Sequence, residues 1–428
     1  MAVQHWCWIV YLSAAACSPQ RYLSKAVHKA ENDFKDHIGF VLYDPEKRHV
    51  MYDHQGDHYF TPASNTKIFT LYASLQLLGD SVPALRYQQR NDSLIFWGTG
   101  NPGFLYENTA REHKVYDFLK THPQKLFFSP DNFQTEYLGP GWSWDDYNET
   151  YQVEKTPFPI YGNLVTVRKV GSGFVTAPSV FIYTISDSLP SERSSLLRGI
   201  DANTATFHPG KGNRPTQWKI PFHYNDQLLA KLLTDTLRRE VHLVREKLPP
   251  GTKTLYTHAP DSLYKVMMQA SDNFIAEQLL LLCANVVSDT LDPEIAIRYV
   301  KKKFLFDLPD EPRWVDGSGL SRYNLFTPRS IVSLWEKMFT TIPRDRLFQL
   351  VAAGGRSGTL KSYYKGDQNP YIFGKTGFLS NNYALSGYLV TKRGRTLIFS
   401  WMNNNFTGSA SEVRALMEIV LKSIYEKN

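Results

Sequence analysis

A serine and a lysine stand one helical turn apart in the stretch PASNTKIFT, residues 62–70. Ser64 offers a hydroxyl, Lys67 offers an amine, and the apolar run that follows predicts that both lie at the start of a buried helix. A serine hydroxyl is a poor nucleophile and becomes reactive only when an adjacent base takes its proton. The pair therefore indicates nucleophilic catalysis, although Ser-x-x-Lys occurs by chance in many proteins and needs support from elsewhere in the chain.

Two further triplets supply that support. Ser271-Asp272-Asn273 lies between two segments with helical periodicity, and Lys375-Thr376-Gly377 lies at the start of a predicted strand. Each triplet alone is a weak signal. The three together, in this order, resemble the active-site motifs of the penicillin-binding proteins and class A β-lactamases, which transfer acyl groups through a serine.

The residue types of the first two triplets fit acyl transfer. Lys67 can accept a proton only if its pKa falls, and burial, the positive end of the helix and a second cation at Lys375 are expected to lower that pKa. Ser271 and Asn273 are expected in a loop between two helices. There Ser271 would relay a proton to the leaving amine, and Asn273 would hold the substrate backbone.

The third triplet fits substrate binding. Gly377 would let a peptide approach closely as an added strand. Lys375 and Thr376 would bind a terminal carboxylate by charge and by a hydrogen bond. The backbone N–H groups of Ser64 and Phe378 would form an oxyanion hole. This chemistry implies no metal ion and no organic cofactor.

The elements that must position these triplets lie towards the two ends of the chain. Two β-rich runs within residues 37–54 predict a hairpin, and YIFGKTGF, NYALSGYLVT and RTLIFSWMNN predict three more antiparallel strands. Helical periodicity follows Ser64, recurs over most of residues 261–287, begins again after Thr327 as N-cap, and closes the chain. The prediction is an α+β fold. Its β-lactamase/transpeptidase-like domain has a five-stranded antiparallel sheet covered by helices.

The middle of the chain has a different sequence pattern. Short strands such as SLIFWGTG, NLVTVRKV and SVFIYTIS are separated by Gly, Pro, Asn and Ser. They predict a large, mostly-β insertion. The predicted organisation is a signal peptide at 1–17, a first transpeptidase-like segment at 18–83, one or more inserted accessory domains at 84–255, and a second transpeptidase-like segment at 256–428.

From about residue 25 to its end, the chain resembles the class C low-molecular-mass penicillin-binding proteins of the penicillin-binding protein 4 type. Beyond the triplets, the stretches that look like this family are PASNTK, SDNFIAEQLL, VDGSGLSRYNLFTP, YALSGYLV, GTGNP and PGWSWDDY. The 207 positions between Ser64 and Ser271 exceed what a β-lactamase allows and suit the additional domains of the family. The sequence departs from the family pattern at Phe378, where threonine is frequent, and at Asn101, where an acid is expected.

The resemblance implies a serine D-Ala-D-Ala carboxypeptidase, an endopeptidase, or both. Such an enzyme acts on peptidoglycan stem peptides through an acyl-enzyme at Ser64, and β-lactams acylate the same serine. Two alternatives stay open. A β-lactamase would show rapid β-lactam turnover and needs a dedicated base for deacylation, whereas a non-catalytic peptidoglycan-binding module on the same scaffold would show no acylation.

Composition excludes several other classes of protein. The chain has 428 residues, of which 42% are hydrophobic and 21% charged, values typical of a globular protein of two or three domains. A disordered chain or a multi-span membrane protein is therefore not expected. The formal net charge of +7 is spread along the chain rather than clustered, so nucleic acid is not an expected partner.

The first 17 residues predict export. Trp6 to Cys17 is an apolar stretch that is too short to span a bilayer and ends in small residues. It resembles a bacterial lipoprotein signal, although no Lys or Arg precedes it. The predicted location is the periplasm, with membrane attachment only through a lipid on Cys17. Cys283 is predicted to be a buried, inert thiol, and the polar hairpin end around His54 and His58 argues against a zinc site there.

Overall fold

The computed structural model describes residues 19–109, 113–186, 189–190, 192–212, 216–257 and 260–428. The predicted signal peptide at 1–17 and the predicted lipidation site Cys17 lie outside the described residues. No helix within these ranges is both long enough and apolar enough to cross a membrane.

Ten α-helices lie in the described part of the chain, and several begin at a recognisable cap. The Thr327 side chain accepts a hydrogen bond from the Ser330 N–H, and Pro328 follows it in the first turn, as predicted. Cys283 is fully buried, as predicted, and burial raises the pKa of its thiol to about 12. The helices are α1 Pro19–Phe34, α2 Thr66–Leu77, α3 Lys114–Thr121, α4 Asp226–Leu237, α5 Asp261–Gln269, α6 Asn273–Ser288, α7 Pro293–Phe304, α8 Pro328–Thr341, α9 Arg344–Leu350 and α10 Ala410–Lys427.

Seventeen β-strands in the same ranges form four sheets. They are β1 His37–Asp44, β2 His49–His54, β3 Val82–Arg90, β4 Ser93–Gly98, β5 Lys125–Phe128, β6 Leu164–Val170, β7 Gly173–Ala177, β8 Ile182–Ile185, β9 Ser195–Arg198, β10 Thr204–His208, β11 Gln217–Pro221, β12 Val241–Leu243, β13 Lys253–Thr257, β14 Ala352–Ala353, β15 Ile372–Leu379, β16 Asn382–Val390 and β17 Thr396–Asn404.

The main sheet has the order β14-β15-β16-β17-β1-β2, and all neighbouring strands in it are antiparallel. Its five longer strands are the predicted hairpin and the three predicted late strands. Strands from opposite ends of the chain therefore pair, with Tyr43 opposite Ile398. The sixth strand, β14, was not predicted, because its two residues are too few to show an alternating pattern.

Alternate side chains of this sheet point to opposite faces, and helices cover both. On one face Phe40 and Trp401 stack with ring centres 4.4 Å apart in the core that α1 and α10 complete. On the other face Tyr388 and Met402 join the core built with α2 and α5–α9. The predicted covering of the sheet by helices is confirmed, and the sheet is a buried platform beneath the candidate site.

Residues 82–257 hold the other three sheets. A five-stranded sheet has the order β12-β5-β4-β3-β13, and two three-stranded sheets have the orders β11-β6-β7 and β8-β10-β9. Their hydrophobic core is separate from the cores of the main sheet and includes Phe96, Phe128 and Phe158, whose rings contact one another. The mostly-β insertion is confirmed, together with the helices α3 and α4, which the sequence analysis missed. Its boundaries at 84 and 255 stay a prediction.

Candidate active site

Ser64 lies in a single 3₁₀ turn, Ala63–Asn65, that leads directly into α2. Ala63 has a left-handed backbone, with φ 48°, a conformation that costs a non-glycine residue about 1–3 kcal/mol. Its carbonyl accepts a hydrogen bond from Thr66 Oγ1 at 2.9 Å. Gly319 packs so closely that a β-carbon there would lie 1.9 Å from the Ala63 carbonyl oxygen. These contacts hold the strained turn, and Ser64 lines an adjacent groove.

Lys67 is fully buried one turn further along, and its amine has three oxygen neighbours. Nζ lies 2.9 Å from Ser64 Oγ, 2.6 Å from Asn273 Oδ1 and 2.7 Å from the Ser318 carbonyl oxygen. An amide oxygen and a carbonyl oxygen can only accept, so they take the two N–H bonds of a neutral amine. The remaining lone pair then faces the Ser64 hydroxyl. This geometry allows Lys67 to accept the Ser64 proton.

The surroundings of Lys67 shift its amine towards the neutral form. Burial lowers the pKa of Lys67 to about 8, as predicted, while the carboxylates of Asp316, Glu277 and Asp272 act in the opposite direction. The predicted effect of Lys375 on this pKa is not among the causes. Glu277 is itself buried, and burial together with the charge of Asp316 raises its pKa to about 7. Its Oε1 accepts the Ser318 N–H at 2.7 Å. Glu277 therefore also holds the backbone of Ser318, the residue whose carbonyl contacts Lys67.

The second triplet lies at the junction of α5 and α6. Ser271 is in the loop, as predicted, with a left-handed φ of 60°. Asn273 is instead the first residue of α6, because the Asp272 carboxylate caps that helix by accepting the Ile275 N–H at 2.9 Å. The other oxygen of Asp272 accepts a 2.6 Å hydrogen bond from the Tyr106 hydroxyl. Since Tyr106 belongs to the region between β4 and α3, the insertion helps to hold this loop.

The third triplet lies in the middle of β15 rather than at its start, because pairing with β16 already begins at Ile372. Lys375 is fully buried, and its Nζ donates to Ser271 Oγ at 2.8 Å and to the Thr376 carbonyl at 2.7 Å. Burial lowers the pKa of Lys375 well below its ordinary value, and the positive charge of Lys67 lowers it further. The second and third triplets are therefore in direct contact.

Gly377 faces the turn that carries Ser64. A β-carbon at Gly377 would lie 2.6 Å from the Pro62 carbonyl oxygen and 3.1 Å from Ser64 N. The sequence analysis assigned this glycine to close approach of a peptide, but the close approach is to the chain's own turn. Asn65 reinforces it, since Nδ2 donates to the Lys375 carbonyl at 3.1 Å.

One edge of β15 is open. The Gly354 N–H donates to the Ile372 carbonyl at 2.9 Å, and successive residues of a strand present their backbone groups to alternate edges. Phe378, six residues further on, therefore presents its N–H to the same edge as Ile372. Within the described part of the chain, only β14 pairs with this edge, and its pairing ends at Gly374. An extended peptide has room to pair with β15 from Thr376 onward.

The open edge forms one wall of a groove of about 750 Å³. Part of the opposite wall comes from the segment 141–152 of the inserted region, which includes all but the first residue of the predicted PGWSWDDY landmark. Two hydrogen bonds tie this segment to the main domain: Trp142 Nε1 donates to Asp316 Oδ2 at 2.9 Å, and Asn273 Nδ2 donates to the Tyr151 carbonyl at 2.9 Å. The predicted site residues that line the groove are Ser64, Ser271, Asn273 and Phe378.

Sequence analysis missed several residues of this site. Glu277 and Asp316 were not singled out, although an acid within the apolar run FIAEQLL was a usable signal, since buried acids are rare unless they have a partner. Thr359, whose Oγ1 lies 2.8 Å from Thr376 Oγ1, comes from a distant 3₁₀ turn and had no local signal. Ser318 contacts Lys67 through its carbonyl, which no residue type can reveal.

Comparison with known proteins places this geometry in a family. The crystal structure of penicillin binding protein 4 (dacB) from Haemophilus influenzae superposes with a TM-score of 0.75 at 20% identity, covering 93% of this chain and 98% of that one. Its complex with a β-lactam gives 0.71 at 18% identity, covering 94% and 99%. These likenesses show the same fold.

In sequence, the chain is 24% identical over 429 residues to the D-alanyl-D-alanine carboxypeptidase DacB of Haemophilus influenzae, covering 86% of each. The model of the D-Ala-D-Ala carboxypeptidase 3 (S13) family matches residues 21–423, nearly the whole chain. With the Ser64, Ser271 and Lys375 triplets assembled around one groove, this chain belongs to the D-Ala-D-Ala carboxypeptidase 3 (S13) family.

Proposed function

We propose that Ser64 is the nucleophile of this serine D-Ala-D-Ala carboxypeptidase, and that the substrates are peptidoglycan stem peptides. The same chemistry on a cross-linked peptide is endopeptidase action. The observation that carries the proposal is the position of the Lys67 amine, 2.9 Å from Ser64 Oγ and held by two acceptors. An apolar side chain could fill the same space, so packing alone does not explain a lysine held in this way.

Acylation begins with the neutral Lys67 amine. Ser64 Oγ attacks the carbonyl carbon of the penultimate D-alanine, and Lys67 takes the hydroxyl proton. The N–H groups of Ser64 and Phe378 stabilise the oxyanion, since Phe378 presents its N–H to the open edge of β15. Gly377 keeps these two donors close together.

The tetrahedral intermediate then collapses. The C–N bond to the terminal D-alanine breaks, and its amine takes up the proton that left Ser64, relayed from Lys67 through the Ser271 hydroxyl. Lys375 Nζ, 2.8 Å from Ser271 Oγ, orients that hydroxyl. Water next attacks the ester carbon and gives up a proton to Lys67. That proton passes to Ser64 Oγ as the ester C–O bond breaks, and the shortened peptide leaves with a new terminal carboxylate.

The substrate is held as an added strand on β15. Its terminal carboxylate is bound by Lys375 and by the Thr376 hydroxyl, which donates to Thr359 Oγ1 in this structure and turns to donate to the carboxylate when the substrate binds. The negative charge of the substrate carboxylate raises the pKa of the buried Lys375 amine, so substrate binding promotes protonation of that amine. Asn273 holds the peptide backbone from the other side of the groove.

Acylation by benzylpenicillin tests this proposal, because a β-lactam resembles the D-Ala-D-Ala terminus. Intact-protein mass spectrometry on the wild type should show one penicilloyl adduct, and Ser64→Ala should show none. Release of D-alanine from a stem pentapeptide, abolished in the same variant, then establishes the carboxypeptidase. A folded wild type without an adduct would contradict the acyl-enzyme and favour a non-catalytic binding module, whereas rapid hydrolysis of benzylpenicillin would favour a β-lactamase.

We also propose export to the periplasm with a lipid on Cys17. The support is the apolar stretch from Trp6 and the small residues before Cys17. Cys17→Ser should move the protein from the membrane fraction to the soluble periplasmic fraction. An unchanged distribution between the fractions would contradict lipidation.

A further inference from the structure

Three potential metal ligands meet where α1 packs beside the end of β2. His28 and Glu31 are three positions apart on α1 and share one face of the helix, and His54 is the last residue of β2. Glu31 Oε1 lies 3.0 Å from His54 Nε2, and Glu31 Oε2 lies 3.5 Å from His28 Nδ1. The ligand atoms of all three residues lie within 4.8 Å of one another.

These separations suit a tetrahedral ion. Zinc lies about 2.0–2.2 Å from nitrogen and oxygen ligands, so neighbouring ligand atoms of a tetrahedral site are about 3.3–3.5 Å apart. The distances from His54 to Oε1 of Glu31, 3.0 Å, and from His28 to Oε2 of Glu31, 3.5 Å, each differ from this spacing by a few tenths of an ångström at most. The two histidine nitrogens are no more than 4.8 Å apart, and a small rotation of the exposed His28 ring can bring them closer.

The carboxylate of Glu31 is held in place by its neighbours. Its Oε1 accepts the Ile38 N–H at 3.2 Å and the Gln55 side-chain N–H at 3.1 Å. Outer contacts of this kind orient the ligands of metal sites.

The three side chains of the cluster differ in their exposure to solvent. The side chains of His54 and Glu31 are 13% and 18% exposed, whereas His28 is 58% exposed. The two rings pack edge to face with centres 5.0 Å apart. An ion can therefore arrive past His28 and be enclosed by the other two residues, with one position left for water.

We propose that His28, Glu31 and His54 bind one divalent transition-metal ion, of which zinc is the best fit. Two imidazoles and one carboxylate favour zinc over magnesium or calcium, which prefer all-oxygen sites. The sequence argued against a zinc site at His54 and His58. The ligands that it overlooked come from α1, more than twenty positions earlier in the chain.

Such an ion links α1 to the main sheet. α1 contributes Leu23, Val27 and Ala30 to the core on one face of that sheet. A metal bond to His54 adds a second attachment near the C-terminal end of the helix. None of the three ligands lines the groove at Ser64, so the ion is separate from acylation.

Zinc titration of the full chain, stripped of metal with a chelator, tests the site. Calorimetry with ZnCl₂ should give one ion per chain, and the melting temperature should rise by at least about 2 °C, since a ligand of the folded state stabilises it. MgCl₂ should give neither effect. Cobalt in place of zinc should produce the visible absorption of a tetrahedral centre.

Three variants locate the ion. His28→Gln and His54→Gln should each weaken zinc affinity at least tenfold. His58→Gln is the matched control, because His58 is 68% exposed, contacts Asp57 at 3.0 Å and lies only four positions from His54. If His54→Gln fails to fold, the exposed His28→Gln decides the question. No zinc uptake by the wild type, or equal affinity in all three variants, overturns the proposal.

Discussion

Replacing Gly377 by alanine should slow acylation without preventing folding. The new β-carbon would start 2.6 Å from the Pro62 carbonyl oxygen, and ordinary contact begins at 3.4 Å, so β15 and the Ser64 turn must separate by about 0.8 Å. The clashing oxygen belongs to the backbone and cannot rotate away. The two proposed oxyanion donors, on Ser64 and Phe378, lie on opposite sides of this contact. Since a displacement of about 1 Å costs about 10²-fold in rate, acylation should fall about 100-fold.

The time course of penicilloyl adduct formation, followed by intact-protein mass, measures this effect. Overpacking should also lower the free energy of unfolding of the Gly377→Ala variant by about 1–3 kcal/mol, which thermal unfolding checks. Gly79→Ala is the control, because its β-carbon would have nothing within 4 Å. Acylation of Gly377→Ala at the wild-type rate would refute the argument, and an equal loss in Gly79→Ala would show that the contact is not the cause.

Three further predictions concern protons. Acylation should become about tenfold faster from pH 7 to pH 9, because the neutral fraction of Lys67, with its pKa of about 8, rises from about a tenth to about nine tenths. A rate of acylation that does not change with pH would exclude Lys67 as the base. Glu277→Gln keeps an acceptor for the Ser318 N–H but removes a charge that raises the pKa of Lys67. The midpoint of the rate profile should therefore move to lower pH, and a shift to higher pH would contradict this reasoning. Burial raises the pKa of Asp36 from 3.8 to about 6, so the stability that Asp36 contributes is present below about pH 4 and is lost as the pH rises through 6. The melting temperature of the wild type relative to Asp36→Asn should fall over that range, and a constant difference between the two would contradict the prediction.

Local signals explain what the sequence predicted well. Ser64 precedes a strongly apolar helix, and the late strands alternate between turns, so their elements could be assigned without tertiary information. The ends of these helices and strands were harder to predict, because they depend on contacts with other segments. Asn273 is helical since the preceding Asp272 caps α6, and Lys375 lies within β15 since β16 extends the pairing to Ile372.

The remaining features of the site come from contacts between distant segments. The burial that lowers the pKa of Lys67 depends on α2, α6 and the segment around Asp316 packing together, which no local pattern expresses. The contact of Gly377 with Pro62 joins residues on different elements, so the sequence showed a glycine but not what it approaches. The metal cluster likewise needs α1 beside β2. Near His54 the sequence offered only His58, and the polar hairpin end argued against a zinc site there.

The pairing of β1 with β17 also has a consequence for the order of events during synthesis. Tyr43 and Ile398 are 355 positions apart, and bringing such distant segments together makes folding slow. A growing chain contains Ser64, Lys67 and the Ser271 triplet long before the strands that complete the platform beneath them exist. Catalytic competence should therefore appear only after translation is nearly complete, and a chain that stalls before Thr396 would carry every proposed catalytic residue and yet be inert.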